Sequence, residues 1–478
     1  MTPRTMCRRR RCALSRRDFL TGIAATAAAW GTALGLRREP LTRLAPAVER
    51  SAEAAARPVA LNVWASPDNA DVLADIATRF TEQNPAITVS VTPITWEVLS
   101  PQILADVASR AGAFDVATWD AQATGAVGAS FLDLDAFRKA HPDLVDANYD
   151  LPDFDPGVWH VGGVWAGKNI GIPFSNDTML FYYRKDLFSD HPLRAAFLDR
   201  YNRPLGLPKT WGETADVAAF FTQRVNPASP TPYGIGLMFP HTPALFYMYV
   251  LYWADYRRSA GGLAEWGKVD LDYGDFFTSA RAPAFANTFG VRALQDMKTL
   301  MPYSPDPLRT DSAQAIEHFS KGTVAMVPHW TGVWASFKQS QALQPLTEKV
   351  GVAVIPGAHS VGGIWGLGIN RVTKHPVEAF KFLQWATNSQ NDKQKFVNFG
   401  VAPARISSLR DPEIRTADPR VPALLETYPA QGYRPRIQVE PQLEEVTVEV
   451  LSQILRGRKS NDTAALQALA AEWEKIVK

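Results

Sequence analysis

The chain has 478 residues, 46% hydrophobic and 21% charged, a length that implies two domains or one large two-lobed body. Its formal net charge of +2 hides an asymmetry: residues 1–47 carry ten Lys/Arg against two Asp/Glu, leaving 40 basic and 46 acidic residues in the remainder. A mildly acidic body without a basic stripe excludes nucleic acid as an expected partner. With both cysteines, Cys7 and Cys12, in the leader, the body has neither a disulfide framework nor a thiolate metal site.

Residues 1–47 read as a targeting segment. Arginines crowd Arg8–Arg11, the pair Arg16-Arg17 follows, and a run of small and apolar residues spans 21–36. Ser15–Leu20 reads SRRDFL, similar to the twin-arginine signal, which a translocase receptor reads on an already folded cargo. Ala45-Pro46-Ala47 offers a cleavage site, with Ala54-Ala55-Ala56 as a rival. An uncleaved anchor and a general secretory signal that happens to contain Arg-Arg stay open. The run is short and weakly apolar for a span, and no other stretch is long and apolar enough to cross a membrane.

The folded body begins near Pro58. Residues 59–65 (VALNVWA) alternate as a strand should. Ser66-Pro67-Asp68-Asn69 starts a helix, and Val72, Leu73, Ile76, Ala77 and Phe80 keep helical spacing to Asn84-Pro85. A second strand covers 87–91, an amphipathic helix 95–110, and a third strand 114–118, ending on Trp119-Asp120. This β-α-β-α-β order predicts a parallel sheet, with ligands bound beyond the carboxyl ends of the strands. Those ends carry Trp64-Ala65-Ser66, Trp96 and Trp119-Asp120. Three tryptophans at three strand exits suit a ligand platform; independent placement in the core is the plain alternative.

Further on, Gly171–Phe188 (GIPFSNDTMLFYYRKDLF) joins a polar tetrad, Ser175–Thr178, to an apolar run over 179–183. That run predicts a strand buried on both faces, with Asp177 and Thr178 at its mouth as polar groups on a rigid base; a core strand after an ordinary turn is the simpler reading. Thr210 and Glu213 form a capping box. Residues 233–239 predict a Gly-interrupted strand and 245–253 an aromatic helix. Asp270–Asp275 lacks the Gly and Glu of a calcium loop and reads as a solvated turn. A turn into a strand, 320–326, is followed by Trp330 and Trp334. Helices are predicted over 378–387 and 390–399, with long amphipathic ones at the C-terminus.

These stretches share a resemblance. Pro173, Asp177, Leu180, Tyr182, Tyr183, Lys185, Asp186, Leu187 and Phe188 resemble the crossover segment of the solute-binding proteins of ABC importers, the family that includes maltose-binding protein. Five further stretches look like family elements in the family's order: 208–213 (PKTWGE), 320–334, 351–370 with Trp365, 400–405 (GVAPAR), and the tail from Tyr433-Arg434-Pro435-Arg436. The spacing departs by two residues between Met326 and Gly332, which leaves open whether Trp330 or Trp334 faces ligand. The resemblance covers 59–478. It implies an α/β, two-lobed periplasmic-binding-protein fold with crossing hinge segments near Pro173–Asp177 and Trp365–Asn370. The first lobe is expected to hold 59–173 plus 370–411, and the second 178–362 plus 412–478.

The function it implies is periplasmic: a monomer that closes on a carbohydrate or polyol and delivers it to the ABC permease subunits. The expected ligand-binding residues are Trp64, Ser66, Asp68, Trp96, Trp119, Asp120, Gln122, Asp177, Trp330, Trp334, Trp365 and Arg436, with Asp177 and Gln122 placed by alignment at ligand-contacting positions of the family. Flat apolar rings with a few carboxylates and amides suit a neutral sugar. A sugar or glycerol phosphate would ask for clustered bases, and of these residues only Arg436 is basic. No metal site, cofactor motif or catalytic constellation is expected. A secreted glycosidase remains the enzymatic alternative, because two of the many carboxylates could flank a sugar bond.

Overall fold

The computed structural model of the chain describes residues 58–334, 337 and 344–478. The twin-arginine stretch, both cysteines and the candidate cleavage sites lie outside the described residues.

The opening β-α-β-α-β unit forms as the alternation dictates. It comprises β1 (Val59–Ala65), α1 (Pro67–Gln83), β2 (Ile87–Pro93), α2 (Trp96–Ser109) and β3 (Val116–Asp120). In β1 the buried positions are Leu61, Val63 and Ala65, the period-2 face of a strand. Pro67 opens α1, where its missing N–H costs nothing, and Arg110 closes α2 in a left-handed turn at φ 53°. Parallel pairing puts β1 between β2 and β3, with Val63 opposite Val116.

A short hairpin, β4 (Val164–Trp165) and β5 (Lys168–Asn169), precedes the long strand β6 (Ile172–Arg184). Then come β7 (Tyr233–Ile235), β8 (Val324–Trp330), β9 (Val350–Ala353) and β10 (Gly362–Ile369). The main sheet runs β2-β1-β3-β10-β6-β8-β7, with β9 also on β6. Here β6 departs from the expected strand over 179–183. The polar tetrad is not a turn before the strand but its middle, because β10 pairs along it antiparallel. Ile172–Thr178 pair with β10, and Met179–Tyr183 pair with β8. A register shift at Trp365/Gly366 accommodates Pro173, which has no N–H for a ladder.

Each half of β6 serves a different core. Ile172 and Phe174 pack with Leu61, Val63, Val116, Leu367 and Phe382. Met179–Tyr182 pack with the helix Ala244–Arg258, whose ten buried residues face all round, and with Trp473 of the last helix. Beneath the first half, Lys395 Nζ donates to the Phe174 carbonyl and to Asp392. Asp392 also accepts from Ala404 N at 3.0 Å, Arg405 N at 3.2 Å and Ser408 Oγ at 2.6 Å.

Three further expectations change. Residues 236–239 leave the strand form after Ile235. Asp275 is not part of a solvated turn: it is fully buried, holding Arg258 Nε at 2.6 Å and receiving the Tyr433 N–H at 2.6 Å. At Thr210 the cap forms with Glu213 N, but the Glu213 carboxylate returns to Lys209 N rather than to Thr210.

Candidate functional site

Asp177 sits where β6 passes from one core to the other, opposite Gly363 of β10. Its Oδ1 accepts the N–H groups of Thr178 and Thr331, each at 3.0 Å. Thr331 is fixed in turn: its Oγ1 donates to the Thr178 carbonyl at 2.8 Å, and its own carbonyl accepts from Arg420 Nη1 at 3.0 Å. Burial, reinforced by the nearby Asp68 carboxylate, pushes Asp177 up to about 7. Asp68 lies in the first turn of α1; it is exposed by area, yet the protein around it still raises its carboxyl by desolvation. Asp177, on rigid backbone donors and beside a second carboxylate that opposes its ionisation, forms an acceptor site for hydroxyl or ammonium donors.

Trp330, at the end of β8, keeps part of its surface exposed beside Asp177. A Cβ on Gly363 would lie 2.8 Å from its Cζ3, so only glycine lets the indole lie against β10. Trp330 meets Tyr247 edge-on at 5.5 Å and 85°. The Tyr247 hydroxyl donates to Asp120 Oδ2 at 2.8 Å and also reaches Gln122 Oε1. Burial raises both Asp120 and Tyr247 above their ordinary values. Over the Tyr247 ring, at 4.5 Å, lies Arg434, whose Nη2 is paired with Glu440 and Glu444.

The other expected residues divide. Ser66 is buried and supports the loop: its N–H donates to Thr118 Oγ1 at 3.2 Å and its Oγ accepts from Asn69 Nδ2 at 2.9 Å. Trp64 stacks on Phe114 at 4.7 Å and, like Trp365, is only partly buried. Trp96 stands exposed at the start of α2.

Three do not face a cleft. Trp119 is fully buried, donating to Thr124 Oγ1 at 3.0 Å and filling the space left by Gly171 and Gly366. Trp334 is buried against Tyr182 and Phe337. Arg436 is buried, bonded to the carbonyls of His160 (2.8 Å) and Val164 and lying 3.3 Å from Asp272.

Sequence reasoning missed Tyr247, Thr331 and Arg434. Tyr247 lies on a helix apolar all round, so no face marked it; the Thr331 backbone role carries no sequence signal. Among the described residues, no three His, Cys, Asp or Glu gather as a metal-holding group. A depression of about 300 Å³ lined by Phe80, Lys381, Gln384 and Trp385 includes Asn84 at the end of α1, opposite the carboxyl ends of the strands.

Residues 75–423 match the sequence profile described as bacterial extracellular solute-binding protein. The chain belongs to that family. A relative named as a probable amino-acid ABC transporter periplasmic-binding protein, y4oP of Sinorhizobium fredii, is 26% identical over 360 residues, 74% of each chain. Among solved structures, maltose-bound MalE3 of T. maritima aligns at TM-score 0.71 and 21% identity, covering 87% of this chain and 100% of that one. A solute-binding protein of Agrobacterium radiobacter in complex with ribitol aligns at TM-score 0.69 and 24% identity, covering 87% and 98%. This family member therefore has the α/β, two-lobed periplasmic-binding-protein fold.

Proposed function

We propose that the chain is the solute-binding component of an ABC importer, taking a neutral mono- to oligosaccharide or a polyol between its lobes. The observation that carries this reading is the Asp177 acceptor site, flanked by Asp68 and the partly exposed Trp330 at the strand crossover. A carboxylate held by two backbone amides accepts ligand hydroxyls, and an indole face covers the apolar C–H side of a sugar ring. The maltose and ribitol held by the two similar structures support that class. Among the described residues, the bases next to the site are already paired, Arg434 with Glu440 and Glu444 and Arg420 with Asp418, which disfavours a phosphate ester. The lobes are 59–173 plus 370–411 and 178–362 plus 412–478; the separate cores on the two halves of β6 support the division, although Phe396 and Leu409 pack with the second core. Export through the twin-arginine translocase to the periplasm, action as a monomer and delivery to the permease complete the proposal.

The name of y4oP favours a second reading, an amino acid, whose ammonium would meet the same two carboxylates. A thermal-shift screen over sugars, polyols, amino acids and phosphate esters separates these. One neutral sugar or polyol raising the melting temperature by several degrees supports the first reading. Stabilisation by amino acids alone supports the second, and stabilisation by phosphorylated compounds alone refutes both.

A further inference from the structure

Tyr247 belongs to the core around the helix Ala244–Arg258, while Asp120 ends β3 on the far side of the crossover. Its hydroxyl nevertheless occupies both Asp120 Oδ2 and Gln122 Oε1. A tyrosyl hydroxyl carries one proton, so the two acceptors share a single donor. That hydroxyl does for Asp120 and Gln122 what a sugar hydroxyl would do. The ring is held for the purpose: Trp330 meets it edge-on, and Arg434, pinned by Glu440 and Glu444, covers its face.

We infer that Tyr247 is an interlobe latch: its hydroxyl mimics a ligand hydroxyl, bridges Asp120 and Gln122 to the opposite lobe, and holds part of the ligand-free population closed. The inference rests on the two-lobe reading proposed above, but not on which solute is bound. A ligand must displace the latch to use Asp120 and Gln122, so the latched fraction lowers apparent affinity in proportion to its population. Tyr247 is thereby a specificity residue, since a solute without a donor at that position gains nothing from opening it.

The test is small-angle scattering of the full chain after exhaustive dialysis, with no ligand added. Tyr247→Phe removes the hydroxyl and keeps the ring; Gln122→Leu removes one acceptor and leaves the ring untouched. Both ligand-free variants are expected to show a larger radius of gyration than ligand-free wild type. A merely structural hydroxyl would lower the melting temperature without moving the radius. Scattering superimposable on wild type for whichever variants fold would overturn the latch. A shift in radius with no solute found in the screen would leave the latch standing and count only against the sugar reading.

Discussion

Two carboxylates at the crossover strand do opposite work. Asp392, below β6, is fully compensated by the Lys395 ammonium, two backbone amides and the Ser408 hydroxyl. Asp177, within β6, has two backbone amides, no cation against it among the described residues, and a second carboxylate nearby. Folding satisfies the first inside the protein. It leaves the second under-satisfied at a partly exposed position, where a solute with donors can complete it.

The largest expected effect breaks the first member of that pair. Asp392→Ala strands the buried Lys395 ammonium, and loss of one partner of a buried ion pair costs about 3–5 kcal/mol. Urea unfolding should show a midpoint lowered accordingly; an unchanged midpoint would dissolve the contrast. Trp119→Ala comes next, at about 3–5 kcal/mol from the cavity beneath Gly366 and Gly171, with solute affinity falling no further than the lost stability explains. Trp330→Ala should do the reverse, abolishing solute binding in calorimetry with a smaller shift in midpoint.

A pH effect is smaller. Asp177 is raised from 3.8 to about 7 in the fold. Between those values the folded state keeps a proton that the unfolded state has released. Its contribution therefore weakens stability as pH rises from about 4 to 7 and is level above that. Asp177→Asn should flatten that part of the pH–stability curve and melt higher than wild type at pH 8. The smallest change is Asp68→Asn. With one of its two causes gone, the Asp177 titration should move to lower pH without disappearing, read as the midpoint of the same curve.

Much of this contrast was legible in the residues, for uneven reasons. Val59–Ala65 and Pro67–Gln83 followed from local alternation and helix-start chemistry, and Asp177 was singled out as a polar group at the mouth of an apolar strand and by alignment with the family. Trp119 was misread because β3 is buried on both faces, so strand parity could not say which tryptophan turned inward. The glycines opposite it, Gly366 and Gly171, lie far away in sequence and acquire meaning only through the β3–β10–β6 pairing. Trp330 and Trp334 were separable only by the end of β8, which leaves the first at the rim and carries the second into the core. Tyr247 meets Asp120, and Arg434 covers Tyr247, across separations no periodicity reports.

The most direct test of the account is a calorimetric titration of wild type and Asp177→Ala with the compound that stabilises the wild type best. The account predicts one site per chain in the wild type, weaker below pH 7 as Asp177 takes up its proton, and at least a tenfold loss in Asp177→Ala, about 1.4 kcal/mol or more. Equal affinity in the two proteins, with no change between pH 6 and 8, would contradict it.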